Sequence, residues 1–305
     1  MKIFFIGLPY FSEKLSKTLS VYDSSLSCDS LKTKSGLLGR LALYFGVLRC
    51  DLVYSMSGAI GKKGTNIFDF ALALNKKVIM HWVGTDVLDA ARLIKLQEFK
   101  PSYFHNIRHF CEVEWIRDEL EQIGITASVV PFASFDGKIS ETIDFPDTFS
   151  IFTYVSKGRE KFYGIDKIIQ LAKDFPDIKI KIAGISDYAE KFPTNVILLG
   201  WTEDMASQYS ASVLYLRLPE HDGLAFSVLE GLANGRYIGY SYPLENTFYI
   251  SSYELLKELV FNLKTKFENG LLHTNYDGIK FISDTYNKDT VLGNLVIRIK
   301  ETING

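Results

Sequence analysis

Strand-length apolar runs alternate with helix-length amphipathic runs along this chain, and the alternation starts twice. No other feature constrains the fold as much. Strands separated by helices pair in parallel, and a parallel sheet needs helices over both faces. The first series reads as a strand over Lys2 to Gly7, a helix near Ser12 to Ser20, a strand from Asp51, an apolar helix over Asn66 to Leu74 and a strand over Lys76 to Trp82. It continues with an amphipathic helix over Val87 to Gln97, a strand from Arg108, a helix over Val113 to Gly124 and a strand over Ser128 to Phe132. Residues 133–149 are polar, carry a proline and read as a linker. The second series runs through Ser150 to Val155, a helix over Ile165 to Lys173, strands over Ile178 to Gly184 and Asn195 to Gly200, and a helix near Asp204 to Tyr209. A strand–turn–helix–strand unit follows over 213–241, and helical period returns over Thr290 to Thr302. The expectation is an α/β protein of two Rossmann-like domains, 1–134 and 135–289, with ligands beyond the carboxyl ends of the strands in the cleft between them.

Composition narrows the function classes. A length of 305 residues suffices for two domains. A formal net charge of −2 argues against a general nucleic-acid binder. Cys28, Cys50 and Cys111 lack metal-ligand spacing and read as the reduced thiols of a cytoplasmic protein, with no metal site expected. No cleavable leader is visible, and no run reaches the roughly 18 apolar residues that span a bilayer.

The unit over 213–241 concentrates the chemistry. Val213 to Leu216 lead into the turn Pro219-Glu220-His221-Asp222-Gly223, then a helix from about Phe226 to Ala233 that stops at Asn234-Gly235. Asp222 sits in the turn, and Glu230 about one turn inside the helix. The backbone N–H groups of Leu224, Ala225 and Phe226 lie where a helix start leaves donors unpaired, and such a start attracts anions. Donors for a phosphate beside two acceptors for hydroxyls suit a sugar nucleotide.

An acid, a glycine, a short apolar stretch and a second acid eight positions after the first: this segment resembles the donor-site motif of the GT-B glycosyltransferases of family GT4. Asp222 stands where the family usually has Glu, and Ala225 where it has a second Gly; Gly223 and Glu230 match. The resemblance implies the GT-B architecture, with the C-terminal helix, about 290–305, packing back on the first domain. It implies a hexosyltransferase-type enzyme that transfers a sugar from a nucleoside diphosphate to a glycan or lipid-linked acceptor. Anomeric configuration is retained, without a metal and without a cofactor other than the donor. Glu230 then accepts from the ribose hydroxyls, and Asp222 faces the sugar.

His81-Trp82-Val83-Gly84-Thr85-Asp86 is similar to the family's H-x-x-G-T-D stretch, with Val83 where some members carry a His. His81 and Asp86 are the candidates for contact with the reacting sugar. Against that stand a packed histidine at a strand end and a carboxylate capping the next helix. Arg159 and Lys161, with Lys157 behind them, supply the cations that the family places on the loop after the first strand of the second domain. Their register is shifted, and Tyr163 replaces the Lys before Gly164. Gly184 lets the backbone approach a ligand, and Trp201 borders the base or simply packs.

The segment Lys32 to Arg49 combines Leu37, Leu38, Leu41, Phe45 and Leu48 with Lys32, Lys34, Arg40 and Arg49. Two readings stand: a helix packed on the first sheet, or a helix lying on the cytoplasmic face of an anionic membrane, with a lipid-linked acceptor. Two rivals to the transferase also stand. One is another GT-B enzyme such as a sugar-nucleotide epimerase; the other is a non-catalytic GT-B subunit that binds a sugar nucleotide or a partner.

Overall fold

A computed structural model describes residues 1–31, 36–135 and 144–304. Lys32 and Lys34 of the basic flank, and 136–143 of the expected linker, lie outside the described residues. The chain divides into two compact units, Met1–Ser134 with Lys288–Gly305, and Phe135–Asn287.

The first unit runs β1 (Lys2–Ile6), α1 (Pro9–Tyr22), β2 (Ser27–Ser30), α2 (Gly36–Arg49), β3 (Leu52–Met56), α3 (Asn66–Ala73), β4 (Lys77–Trp82), α4 (Asp86–Lys95), α5 (Tyr103–Asn106), β5 (Arg108–Cys111), α6 (Glu114–Gln122) and β6 (Ala127–Val129). Its strands lie in the order β2-β1-β3-β4-β5-β6, all parallel. β1, β3 and β4 are apolar almost throughout because helices cover both faces, so neither side of those strands meets water.

The second unit holds β7 (Ser150–Tyr154), α7 (Ile165–Asp174), β8 (Lys179–Ala183), β9 (Val196–Gly200), α8 (Met205–Ser210), β10 (Leu214–Arg217), α9 (Phe226–Ala233), β11 (Tyr237–Tyr240), β12 (Phe248–Tyr249), α10 (Tyr253–Glu268) and α11 (Tyr276–Thr285). Its sheet is parallel in the order β12-β11-β10-β7-β8-β9. α7 shows how the pattern becomes packing: Ile165, Ile168, Ile169 and Ala172 recur at helical spacing and are buried, while Lys167 and Lys173 stay outside that core. They join Ile151, Ile180, Ile182, Leu214 and Leu216 from the strands and Leu256 and Val260 from α10 in one cluster.

The last helix, α12 (Lys288–Asn304), belongs to the first unit. It buries Val291, Leu292, Leu295, Val296 and Ile299. Its polar rim is fastened to the end of α1: the Tyr22 hydroxyl donates to the Asp289 carbonyl at 3.2 Å, and Lys300 pairs with Asp23 at 2.7 Å.

Candidate functional site

In the second sheet the chain moves outward from β7 through β8 to β9, then returns to β7's other side with β10. The loops after β7 and β10 therefore diverge at the point where strand order reverses, the usual ligand position in an open parallel sheet. Register holds their starting points level. Leu216 lies opposite Thr153, and the Thr153 hydroxyl donates to the Leu216 carbonyl at 2.8 Å.

The two loops are packed and bonded to one another. Gly164, the residue before α7, has φ +75° and comes so close to β10 that a Cβ would sit 2.8 Å from the Leu218 carbonyl oxygen. Only glycine fits that approach and that backbone angle. Next to it, the Glu220 N–H donates to the Phe162 carbonyl at 2.8 Å.

Cations gather on this junction. The Arg217 guanidinium lies 4.8 Å from the Tyr163 ring centre, and the Arg159 guanidinium lies 4.0 Å from Phe162 and 5.9 Å from Tyr163. Arg217 also forks onto Asp222, Nε to Oδ2 at 2.8 Å and Nη2 to Oδ1 at 3.1 Å. Burial opposes the Arg217 charge, but the Asp222 carboxylate outweighs it and raises the pKa, so the guanidinium is permanently ionised. Both oxygens of Asp222 accept from Arg217.

The turn after β10 is held from β11. The Tyr240 hydroxyl donates to the Gly223 carbonyl at 2.8 Å and also meets the Ala225 backbone. Leu224 and Ala225 are buried. Ala225 occupies the N-cap position of α9 with an extended backbone and no capping side chain. The first inward bond of the helix is Val228 N–H to the Ala225 carbonyl at 3.0 Å, so the helix start lies at Phe226 and Ser227. Of the three N–H groups assigned to anion binding in the sequence, that of Ala225 is turned to Tyr240.

Glu230 is half-buried on α9, 3.3 Å from the Tyr209 hydroxyl, which donates to the Ser227 carbonyl at 2.9 Å. Tyr215 stands behind both acids. Burial pushes its pKa up to about 12 against the pull of Arg217, and the charges of Asp222 and Glu230 also act on it. Its buried hydroxyl lies beside the Ser227 side chain. The site thus presents two guanidinium groups, a helix start and two carboxylates.

The other expected residues take different places. Lys161 is exposed, and Lys157 pairs with Asp187 at 3.0 Å. Gly184, φ +95°, is a packing glycine: a Cβ there would lie 2.2 Å from the Val155 carbonyl oxygen, and its N–H donates to the Gly200 carbonyl at 2.8 Å. Trp201 beside it is 78% exposed, so it does not serve as packing.

His81 and Asp86 lie in the first unit and are engaged there. Of the two readings of His81, the structure shows the packed one. It is fully buried between Phe110 and Phe132, with Nδ1 2.5 Å from the Tyr54 hydroxyl, and burial drops its pKa to about 3. The Asp86 carboxylate accepts from Gly58 N–H at 2.7 Å, Gly84 N–H at 2.9 Å, Val83 N–H at 3.2 Å and the Ser57 hydroxyl at 3.2 Å. It clips the turn after β3 to the turn after β4, and burial raises its pKa to about 6 against those donors. Nor does it cap α4 as an N-cap, because the helix begins at Asp86 itself. Among the described residues no group of three His, Cys, Asp or Glu is placed to hold a metal ion.

Sequence reasoning missed Arg217, Tyr209, Tyr215 and Tyr240. A charged residue closing an apolar strand, five positions before Asp222, was the available signal for Arg217. The tyrosines look like core residues in any linear reading.

No protein-family model and no curated protein matches the sequence. Solved structures do match its fold. Anabaena HepE, crystallised with UDP-glucose, superposes with a TM-score of 0.75 at 13% identity, over 99% of this chain and 100% of that one. The fold is GT-B. A glycosyltransferase from Rickettsia africae ESF-5 matches with a TM-score of 0.72 at 10% identity, over 100% of this chain and 98% of that one. Sucrose-phosphate synthase from Thermosynechococcus elongatus matches with 0.71 at 10% identity, over 100% and 99%. The likeness extends to the α/β class and the two parallel six-stranded sheets.

Proposed function

We propose that this chain is a glycosyltransferase that takes a sugar from a nucleoside diphosphate donor bound on the second unit. The observation that carries the reading is the pair of guanidinium groups on the aromatic loop before α7, beside the start of α9, at the reversal of strand order. That arrangement meets a diphosphate with fixed positive charge at one of the commonest ligand positions of the fold. The crystallised complex of HepE with UDP-glucose supports the same class of donor.

Breaking the bond between sugar and diphosphate builds charge on the departing phosphate. Arg217, locked by its fork to Asp222, and Arg159 are positioned to stabilise that charge without reorganising. Asp222 accepts from a sugar hydroxyl, and Glu230 accepts from the ribose. The departing phosphate oxygen takes the acceptor's proton as attack occurs on the same face, so configuration is retained and no side-chain base is required. This accords with the internal engagement of His81 and Asp86. No metal enters the scheme. The acceptor is a hydroxyl of a growing glycan or glycolipid, and the reaction belongs on the cytoplasmic side of a membrane.

Calorimetric titration with UDP, GDP and ADP, without added metal, tests the reading. One of them is expected to bind wild type and to lose at least about tenfold in affinity in Arg217→Ala, as for a lost charge-assisted contact. Folded protein that binds none of the three would overturn it.

A further inference from the structure

α2 is built inside out. Its inward residues are small or few: Gly39 and Val47 are the buried ones, and Gly46 rests against Phe4 so closely that a Cβ would overlap the ring at 2.2 Å. Its large apolar side chains point the other way. Leu37 is 73% exposed, Leu38 71%, Phe45 57% and Leu48 50%, with Leu41 and Tyr44 also exposed. At about 100° per residue these six fall within an arc of about 120°, and Arg40 and Arg49 border the arc on its two sides. The leucines are thus not required by the unit's own core. The glycines let the helix sit close to β1 while the bulk is presented outward.

The helix also fails to close over the edge of the sheet. A groove of about 630 Å³ lies between α2 and the edge strand β2, with Phe4, Leu31, Leu38 and Phe45 among its lining and Arg49 at its side. An apolar face of this size on one helix marks an interaction surface.

We propose that this face of α2 lies on an anionic lipid bilayer, with Leu37, Leu41, Phe45 and Leu48 entering the acyl boundary and Arg40 and Arg49 meeting lipid phosphates. Charge selects this occupant. Residues 36–49 contain two arginines and no carboxylate. A second copy docking through the same face would bring arginines with no acid on the helix to answer them, whereas anionic headgroups supply the missing charge. No helix among the described residues is long and apolar enough to cross a membrane, so the contact is one of a helix lying in the interface. The inference stands on the first unit alone and does not depend on the donor-site reading.

The test is co-sedimentation of the full chain with vesicles of phosphatidylcholine alone and of phosphatidylcholine mixed with phosphatidylglycerol. Wild type is expected to sediment with the mixed vesicles, weakly or not with phosphatidylcholine, and to be released as salt rises. The triple variant Leu37→Ser, Leu41→Ser, Leu48→Ser should partition about tenfold or more weakly, because three apolar side chains no longer enter the membrane. All three residues are exposed, so its nucleotide binding and melting should be preserved. If that variant does not fold, Arg40→Glu with Arg49→Glu reads the charge contribution at exposed positions, and the preference for phosphatidylglycerol should vanish. Equal binding to both vesicle types, or to neither, overturns the proposal. So does a concentration-dependent dimer in light scattering that the serine variant abolishes.

Discussion

Arg217 ends a strand whose other residues, Leu214, Tyr215 and Leu216, are fully buried. A guanidinium at that place costs desolvation, and the fork to Asp222 offsets it. Arg217→Ala would leave Asp222 partly buried without its cation. The expected outcome is a second unit less stable by about 3 kcal/mol, measured by urea unfolding, together with lost nucleotide binding. Arg217→Lys keeps the charge but cannot fork, so it should fall between the two. Arg159 predicts the opposite balance. It is exposed and stacked on Phe162, with no carboxylate partner among the described residues, so Arg159→Ala should change stability by less than about 1 kcal/mol. It should lower turnover more than donor affinity, because charge on the diphosphate grows toward the transition state; equal losses in both would point to ground-state binding. Glu230→Ala should weaken donor affinity while leaving unfolding nearly unchanged, and unaltered affinity in titration would remove Glu230 from the site.

At the scale of elements, the junction of the β7 and β10 loops depends on one backbone position. Gly164→Ala forces both a strained φ and a clash with the Leu218 carbonyl. It should destabilise the second unit by about 1–3 kcal/mol and displace Tyr163 and Arg159 from Arg217, read as lower melting and weaker nucleotide binding. The parallel sheets and most of their helices are legible in the sequence because buried strands and amphipathic helices write different periods. β2 is not, because Ser27–Ser30 is a polar edge strand with no apolar alternation. α10 was legible, with Leu256, Leu259, Val260 and Leu263 at helical spacing, yet the sequence reading leaves residues 242–289 without elements. At the site, the turn, the acids and the basic loop can be located from their order. Which cation meets which acid cannot: Arg217 reaches Asp222 because β10 and its turn fold back over five residues. The burial of His81 follows from tertiary cover by Phe110 and Phe132, which no local pattern encodes.

At the scale of the whole molecule, the first unit responds to acid through three buried groups. Burial holds His81 and His109 neutral, lowering their pKa from 6.5 to about 3 and about 4. His109 accepts from the Trp82 indole on Nδ1 at 3.1 Å, and its Nε2 lies 3.0 Å from the Tyr103 carbonyl, so a second proton would set donor against donor. Below pH 6.5 the unfolded chain binds protons that the folded chain refuses, and the stability these histidines contribute is lost as pH falls. Asp86 acts in the other sense. Its pKa rises from 3.8 to about 6 on folding, so its contribution is present at low pH and lost as pH rises through about 6. Two histidines against one carboxylate leave a net loss of about 1.4 kcal/mol per pH unit between about pH 6 and pH 4. A Trp201→Phe variant leaves Trp82 and Trp115, both in the first unit, as the fluorescent reporters. Its urea midpoint should fall steadily over that range, and a flat midpoint would refute the assignment. The return of α12 to the first unit bears on how the molecule is made. Vectorial synthesis delivers the first sheet early, but the apolar residues of its closing helix, Val291 to Ile299, emerge only after the entire second unit. The half that leaves the ribosome first is therefore finished last, and until then it waits with an uncovered seam for chaperones to guard.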